Sequence, residues 1–249
     1  MSNRKTATVK PEIYVRKPES IYQVRGKIVN GTFQGRWHFS FGDYYDPVNT
    51  QFGTLRVFND DTLSPGAIWP LHPHDNIEVV TYCTEGEFRH ADQRGKGGVL
   101  KKGWVQHTTV GRGMMHSELN NRPDIPLRFI QMWFIPSEMD LPPSVEQKAV
   151  ERDERTDRLF PLVSNEHEGA LPIRSGAQVY SCFLRGGSSV DYSLKKGRGL
   201  YLYVLEGGGV EISNNKVEAL GAARAMGPMD IRISTSADAE LLLTDVLLS

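Results

Sequence analysis

The sequence predicts an all-β protein built as two antiparallel barrels of the jelly-roll type, joined by a short connecting segment. Three observations predict it. Short β-type runs separated by glycine, proline and asparagine dominate the chain. No long stretch repeats its apolar residues with a 3.6-residue period. One unit also recurs. Ile77 to Glu87 reads IEVVTYCTEGE and Arg198 to Gly208 reads RGLYLYVLEGG, and each is followed by two further glycine turns and an apolar strand.

In chain order, the clearest strands are GTLRVFN (53–59), IEVVTYCT (77–84), LRFIQMWFI (127–135), GLYLYVL (199–205) and ELLLTDVL (240–247). The most helix-permissive stretch is Ser144 to Leu159, bracketed by Pro142, Pro143 and Pro161, so any helix there should be short. The run Glu151 to Arg155 alternates in sign and reads as a solvated face. These features divide the chain into a first barrel over 1–138, a proline- and charge-rich connection over 139–175, and a second barrel over 176–249.

Composition narrows the class. The chain has 249 residues, 39% apolar and 24% charged, as expected of a globular protein with a sizeable core. A net charge of −1 gives no general attraction to nucleic acid or anionic membrane. The start, MSNRKTATVKPE, has no apolar core of a secretory signal, and no run approaches the ~18 apolar residues of a membrane span. Cys83 and Cys182 sit in apolar runs and read as buried, reduced thiols. A cytoplasmic location is expected, although a nuclear one is compatible with the same features.

The chemistry concentrates in HPHDNIE (72–78) and HSE (116–118). Side chains two apart on a strand share a face, with Cα atoms ~6.6 Å apart at ~3.3 Å rise per residue. His72 and His74 meet that condition, as do His116 and Glu118, so each pair can converge on one ion. Three imidazoles and a carboxylate suit a first-row transition metal. The HxH pair alone is weak evidence, and the second pair strengthens it. If one strand runs through, Glu78 shares the face of His72 and His74, as a fifth ligand or, by preference, an acceptor that orients an imidazole. The bland reading of Glu78 is a carboxylate at a barrel mouth.

Gly111-Arg112-Gly113 permits a tight turn that delivers His116 into the barrel. Ser117 should point away from its neighbours, which disfavours a Ser-His-Glu triad. His90 and His107 follow turns or polar runs and read as solvent-exposed. His38, among Trp37, Phe39 and Phe41, reads as a core or pocket histidine, and His167 falls in the connection. The aromatic cluster RWHFSFGDYYDP (36–47) reads as packing, with a pocket wall as the alternative.

At these residues the chain resembles the pirin family of the cupin superfamily. The resemblance rests on HFSFGDYYDP (38–47), LRVFNDD (55–61), HPHDNIEVVTYCTEGEFRHAD (72–92), GWVQHTTVGRGMMHSE (103–118), LYVLEGGGVEI (202–212) and ELLLTDV (240–246), and so covers most of the chain. It implies a bicupin, with a metal in the first barrel held by His72, His74, His116 and Glu118. It implies iron, expected here as Fe(II), with Mn, Co, Ni, Cu or Zn as alternatives. It also implies quercetin 2,3-dioxygenase-like activity on a flavonol-like substrate with O2. Glu118, at the expected ion and with a second oxygen, is the candidate catalytic base. The rival expectation is a non-catalytic, metal- or redox-dependent regulator that binds a protein partner. A third is isomerase or hydrolase chemistry at the same ligands. Two positions depart from the family pattern: Asp75 follows HPH where many members have a basic residue, and His107 stands where many have an aromatic. The second barrel has no HxH or HxE, and Ser193-Leu194-Lys195 aligns with HPH, so no metal is expected there.

Overall fold

Runs such as IEVVTYCT and ELLLTDVL are apolar on both faces, so a strand made of them must be covered on both sides. The computed structural model, which describes residues 12–92 and 97–248, supplies that cover by packing two large sheets back to back. The N-terminal residues inspected for a targeting signal lie almost wholly outside the described residues.

The first large sheet has seven strands, in the order Ser144–Lys148, Val105–Thr109, Glu78–Glu85, Leu127–Phe134, Leu55–Leu63, Gly31–Trp37 and Tyr22–Ile28. It faces a four-stranded sheet ordered Ile68–His74, Met114–Asn120, Glu87–Asp92 and Gly97–Lys101. The second large sheet is ordered Ile13–Arg16, Ala222–Met226, Arg198–Gly207, Ala239–Leu247, Gln178–Leu184 and Phe160–Val163. Its partner sheet runs Ser189–Leu194, Met229–Ser234, Val210–Ile212 and Asn215–Val217. Neighbouring strands are antiparallel throughout both halves. The two repeat segments, Ile77 to Glu87 and Arg198 to Gly208, supply corresponding central strands, so the internal repeat is a repeat of architecture.

Three apolar layers result. Phe58, Val80, Ile130 and Met132 from the first large sheet meet Val179, Tyr201, Leu242 and Val246 from the second. Leu202, Leu241 and Leu243 pack against Val190, Ile212 and Ile231 inside the second half. Cys83, Leu127 and Phe129 pack against Phe88 and Leu100 inside the first. Burying each large apolar side chain is worth roughly 1.5–3 kcal/mol, so the layer between the halves makes one molecule of two barrels. Both cysteines are free and buried, and burial pushes each thiol up to about 12, so they are packing residues.

In the middle of the chain, the helix-permissive stretch opens as the strand Ser144–Lys148, because the edge strand Val105–Thr109 offers it unpaired backbone groups. Its one helical piece is short, a turn of 3-10 helix at Asp153–Arg155. One expectation needs correction: the charged run is not wholly solvated. Arg155 is 2% exposed, with Nη1 2.8 Å from Glu240 Oε1, which also accepts the Tyr82 hydroxyl at 2.9 Å. Alternating charge in a sequence does not reveal a single arginine turned inward to a buried acid. No helix among the described residues is long and apolar enough to cross a membrane.

Candidate metal centre

The strands Ile68–His74 and Met114–Asn120 lie side by side in the first four-stranded sheet, with His116 directly opposite His72 and Met114 opposite His74. Residues directly opposite on antiparallel strands present their side chains to the same face. The three imidazoles therefore meet. Ring centroids are 4.7 Å apart for His72–His74, 4.7 Å for His72–His116 and 4.8 Å for His74–His116. One nitrogen from each lies within 4.8 Å of the others.

Protein contacts fix two of the rings. His72 Nδ1 is 2.8 Å from the Pro70 carbonyl, which can only accept, so Nδ1 carries the proton and Nε2 is left as a lone-pair donor. His116 Nδ1 is 3.0 Å from His90 Nε2. The Nε2 atoms of His74 and His116 are buried and have no hydrogen-bond partner among the described residues. Buried polar atoms are rarely left this way. Two that converge with a third imidazole fit a cation, which accepts lone pairs from all three.

Burial favours the neutral form of two of these rings. Burial, then the His90, His72 and His74 charges, lower the His116 pKa to about 2. Burial and the neighbouring His72 hold His74 at about 4, against a small opposing effect of Asp75. Burial likewise lowers His90 to about 4. A metal-ligating imidazole must be neutral, and burial favours that form in His74 and His116.

Glu118 stands beside the trio. Its Oε1 is 4.0 Å from His116 Nε2 and accepts a hydrogen bond from Gln131 Nε2. Burial raises its pKa to about 7, and the Gln131 bond pulls the other way. Gln131 Oε1 in turn accepts Trp133 Nε1 at 2.8 Å, and the Trp133 ring lies 4.8 Å from His74.

Several expectations are corrected here. Glu78 does not share the imidazole face. Asn76 adopts a left-handed conformation (φ 46°) and donates its N–H to Gly111, which ends one strand and starts the next in the opposite sheet. Glu78 instead accepts the backbone N–H groups of Arg174 and Ser175, each at 2.7 Å, tying the connecting segment to the first half. His90 is 2% exposed rather than solvated, because it follows the inward parity of Phe88 and lies opposite Glu118. His107 is also 2% exposed, but on the far face, 3.3 Å from Glu78, so that departure from the family pattern falls outside the trio.

Other readings match the structure. Ser117 turns away, toward the Ala91 carbonyl. His38 is buried, its Nδ1 2.8 Å from the Tyr201 hydroxyl. Gly111 sits at φ 54°, where a side chain would collide with the Leu141 carbonyl, so the turn before His116 needs glycine twice over. Gln131 and Trp133 were not among the candidate residues. Their two-residue spacing was visible, but the strand facing them was not. In the second half, the corresponding strand Ser189–Leu194 turns the Tyr192 hydroxyl onto Asp245, which also pairs with Arg198.

A jelly-roll barrel with three convergent imidazoles, backed by a second barrel of the same order, defines a two-barrel protein of the cupin type with a histidine cluster that could hold a metal ion. The chain belongs to the pirin family. Residues 20–134 match the Pirin family, and 162–246 match the quercetinase C-terminal cupin domain. A pirin-like protein of Caulobacter vibrioides is 35% identical over 92% of this chain and 98% of its own length. The Escherichia coli K12 quercetin 2,3-dioxygenase is 30% identical over 94% and 98%. The crystal structure of E. coli YhhW superimposes with a TM-score of 0.88 at 27% identity, covering 96% of this chain and 99% of that one. A structure of bacterial pirin YhhW in complex with nickel(II) gives 0.86.

Proposed function

We propose that this protein is a metal-dependent dioxygenase of the pirin type that oxidatively opens the ring of a flavonol-like substrate with O2. In this reading His72, His74, His116 and Glu118 hold one divalent transition metal, iron(II) in the first place. The observation that carries the reading is the pair of buried, unpartnered Nε2 atoms of His74 and His116 beside His72. The name of the E. coli relative and the nickel complex of bacterial pirin YhhW support it.

His72, His74, His116 and Glu118 would hold the metal, which would supply Lewis-acid stabilisation of a substrate oxyanion. The protein's own residues prepare that chemistry. The Pro70 carbonyl and His90 hold the rings of His72 and His116. Glu118 takes the proton of the flavonol hydroxyl. A buried carboxylate beside the imidazole trio is placed for that role.

The test is O2 uptake by metal-replete protein on addition of quercetin, with metal content measured in the same sample. Rapid uptake is expected from the parent. Glu118→Gln with its metal retained should turn over about 10²–10⁴-fold more slowly. An equal rate in that variant removes Glu118 as the base. A metal-replete parent that consumes no O2 with any flavonol favours the regulator that binds a protein partner.

A further inference from the structure

We propose that Trp133 is a positioning residue of the metal centre, which acts through Gln131 to hold the Glu118 carboxylate beside the imidazole trio. The proposal rests on the reading of Glu118 as a ligand.

The argument starts from what each group can do. An indole N–H donates and never accepts, whereas an amide side chain has one end of each kind. Trp133 Nε1 lies 2.8 Å from Gln131 Oε1, so the amide oxygen must face the indole. The amide NH2 then has to face Glu118, and it does. Amide ends are easily interchanged in assignment, but here chemistry chooses between them. Without the indole N–H, the amide would keep only its bond to Glu118 and lose the second point that fixes its position, and its oxygen would be a buried acceptor without a donor.

Packing fixes Trp133 in turn. Its ring lies edge-to-face on His74, with centroids 4.8 Å apart at 78°. Phe41 closes the other side at 5.2 Å and 85°, and Trp37 braces Phe41 at 5.0 Å and 84°. Trp37 is held by an N–H bond to Asp61 at 3.1 Å. The aromatic run 36–47 thus serves the site by fixing Trp133. Trp133 and Gln131 belong to the seven-stranded sheet, while all four proposed ligands belong to the four-stranded one. The relay is where the large sheet sets the geometry of ligands carried by the small sheet.

The experiment is a double-mutant cycle on nickel(II) affinity, measured by competition with a chelator. Trp133→Phe keeps an aromatic ring beside His74 and removes the indole N–H. It should weaken nickel binding by about 10–100-fold, the usual effect of losing a group that orients a ligand. In a Glu118→Ala background the same substitution should have no further effect, because the carboxylate it acts on is gone. The absorption spectrum of the cobalt(II)-loaded protein should change with Trp133→Phe only while Glu118 is present, which a purely structural role would not produce. Should Trp133→Phe fail to fold, Gln131→Met replaces it, with the same expected pattern. Equal losses with and without Glu118, or no loss at all, overturn the proposal. If Glu118→Ala alone leaves nickel affinity unchanged, the reading of Glu118 as a ligand fails first, and the proposal falls with it.

Discussion

His116 has two ring nitrogens and one protein partner. Nδ1 meets His90, and Nε2 is buried with nothing to bond. His38 has the same defect, since its Nδ1 meets Tyr201 and its Nε2 is also unpartnered. The difference lies in company. His116 Nε2 converges with two other imidazoles, whereas His38 is walled by Phe58, Tyr201 and Tyr203. An unpartnered nitrogen marks a metal site only where others point at the same spot. Alone it marks a cost that depends on pH. Burial, then Arg16 and Arg36, hold the His38 pKa well below 6.5. Below pH 6.5 the unfolded chain takes up a proton there that the folded chain refuses. Stability is therefore full above that pH and falls as pH falls, by up to about 1.4 kcal/mol per pH unit from this one group. Denaturant unfolding of metal-free protein between pH 5 and 7.5 should show His38→Gln with a shallower acid loss than the parent. Parallel curves would mean that His38 titrates alike in both states.

At the scale of elements, two turns assemble the centre. The left-handed Asn76 switches the chain from the small sheet to the large one, and its N–H is received by Gly111, which begins the turn before His116. Gly111→Ala should cost at least about 1–2 kcal/mol from the left-handed backbone, with more from the collision at Leu141. It should also weaken nickel binding, because both ligand strands start or end at this junction. Unfolding and metal titration of the same variant check both effects, and unchanged affinity would show that the turn does not deliver His116. Much of this was legible in the sequence. Alternation placed His72, His74 and His116 on common faces, and glycine spacing marked the turns. The fate of Glu78 was not legible, because parity holds only while a strand stays regular and one residue at Asn76 broke it. His90 reads as exposed in the sequence for a different reason. Its inward parity with Phe88 was present, but neighbouring polar residues outweighed one alternating pair. Gln131 and Trp133 were hidden because contact between sheets has no signature in local sequence.

For the molecule as a whole, the two halves share an order of strands and differ in what fills the end of each barrel. The first presents imidazoles. The second fills the corresponding region with Tyr192, Asp245 and Arg198, hydrogen-bonded to one another. The halves are joined by the apolar layer between their large sheets and by buried polar ties across it. Arg155, Glu240 and Tyr82 make one such tie. Arg155→Met should destabilise the protein by about 3–5 kcal/mol, because Glu240 would remain buried without its counter-charge. Replacing both partners by apolar residues should recover most of that loss in denaturant unfolding, and no recovery would assign Arg155 a packing role instead. The central claim is that four side chains of the first barrel hold one metal for oxygen chemistry. X-ray absorption of the protein loaded with one equivalent of iron(II) under anaerobic conditions tests it most directly. The account predicts a first shell with three imidazole nitrogens and carboxylate oxygen at about 2.0–2.2 Å, by analogy with common N/O coordination, and a change in that shell when quercetin is added. A shell with fewer than three imidazoles, or one that quercetin leaves untouched, would contradict it.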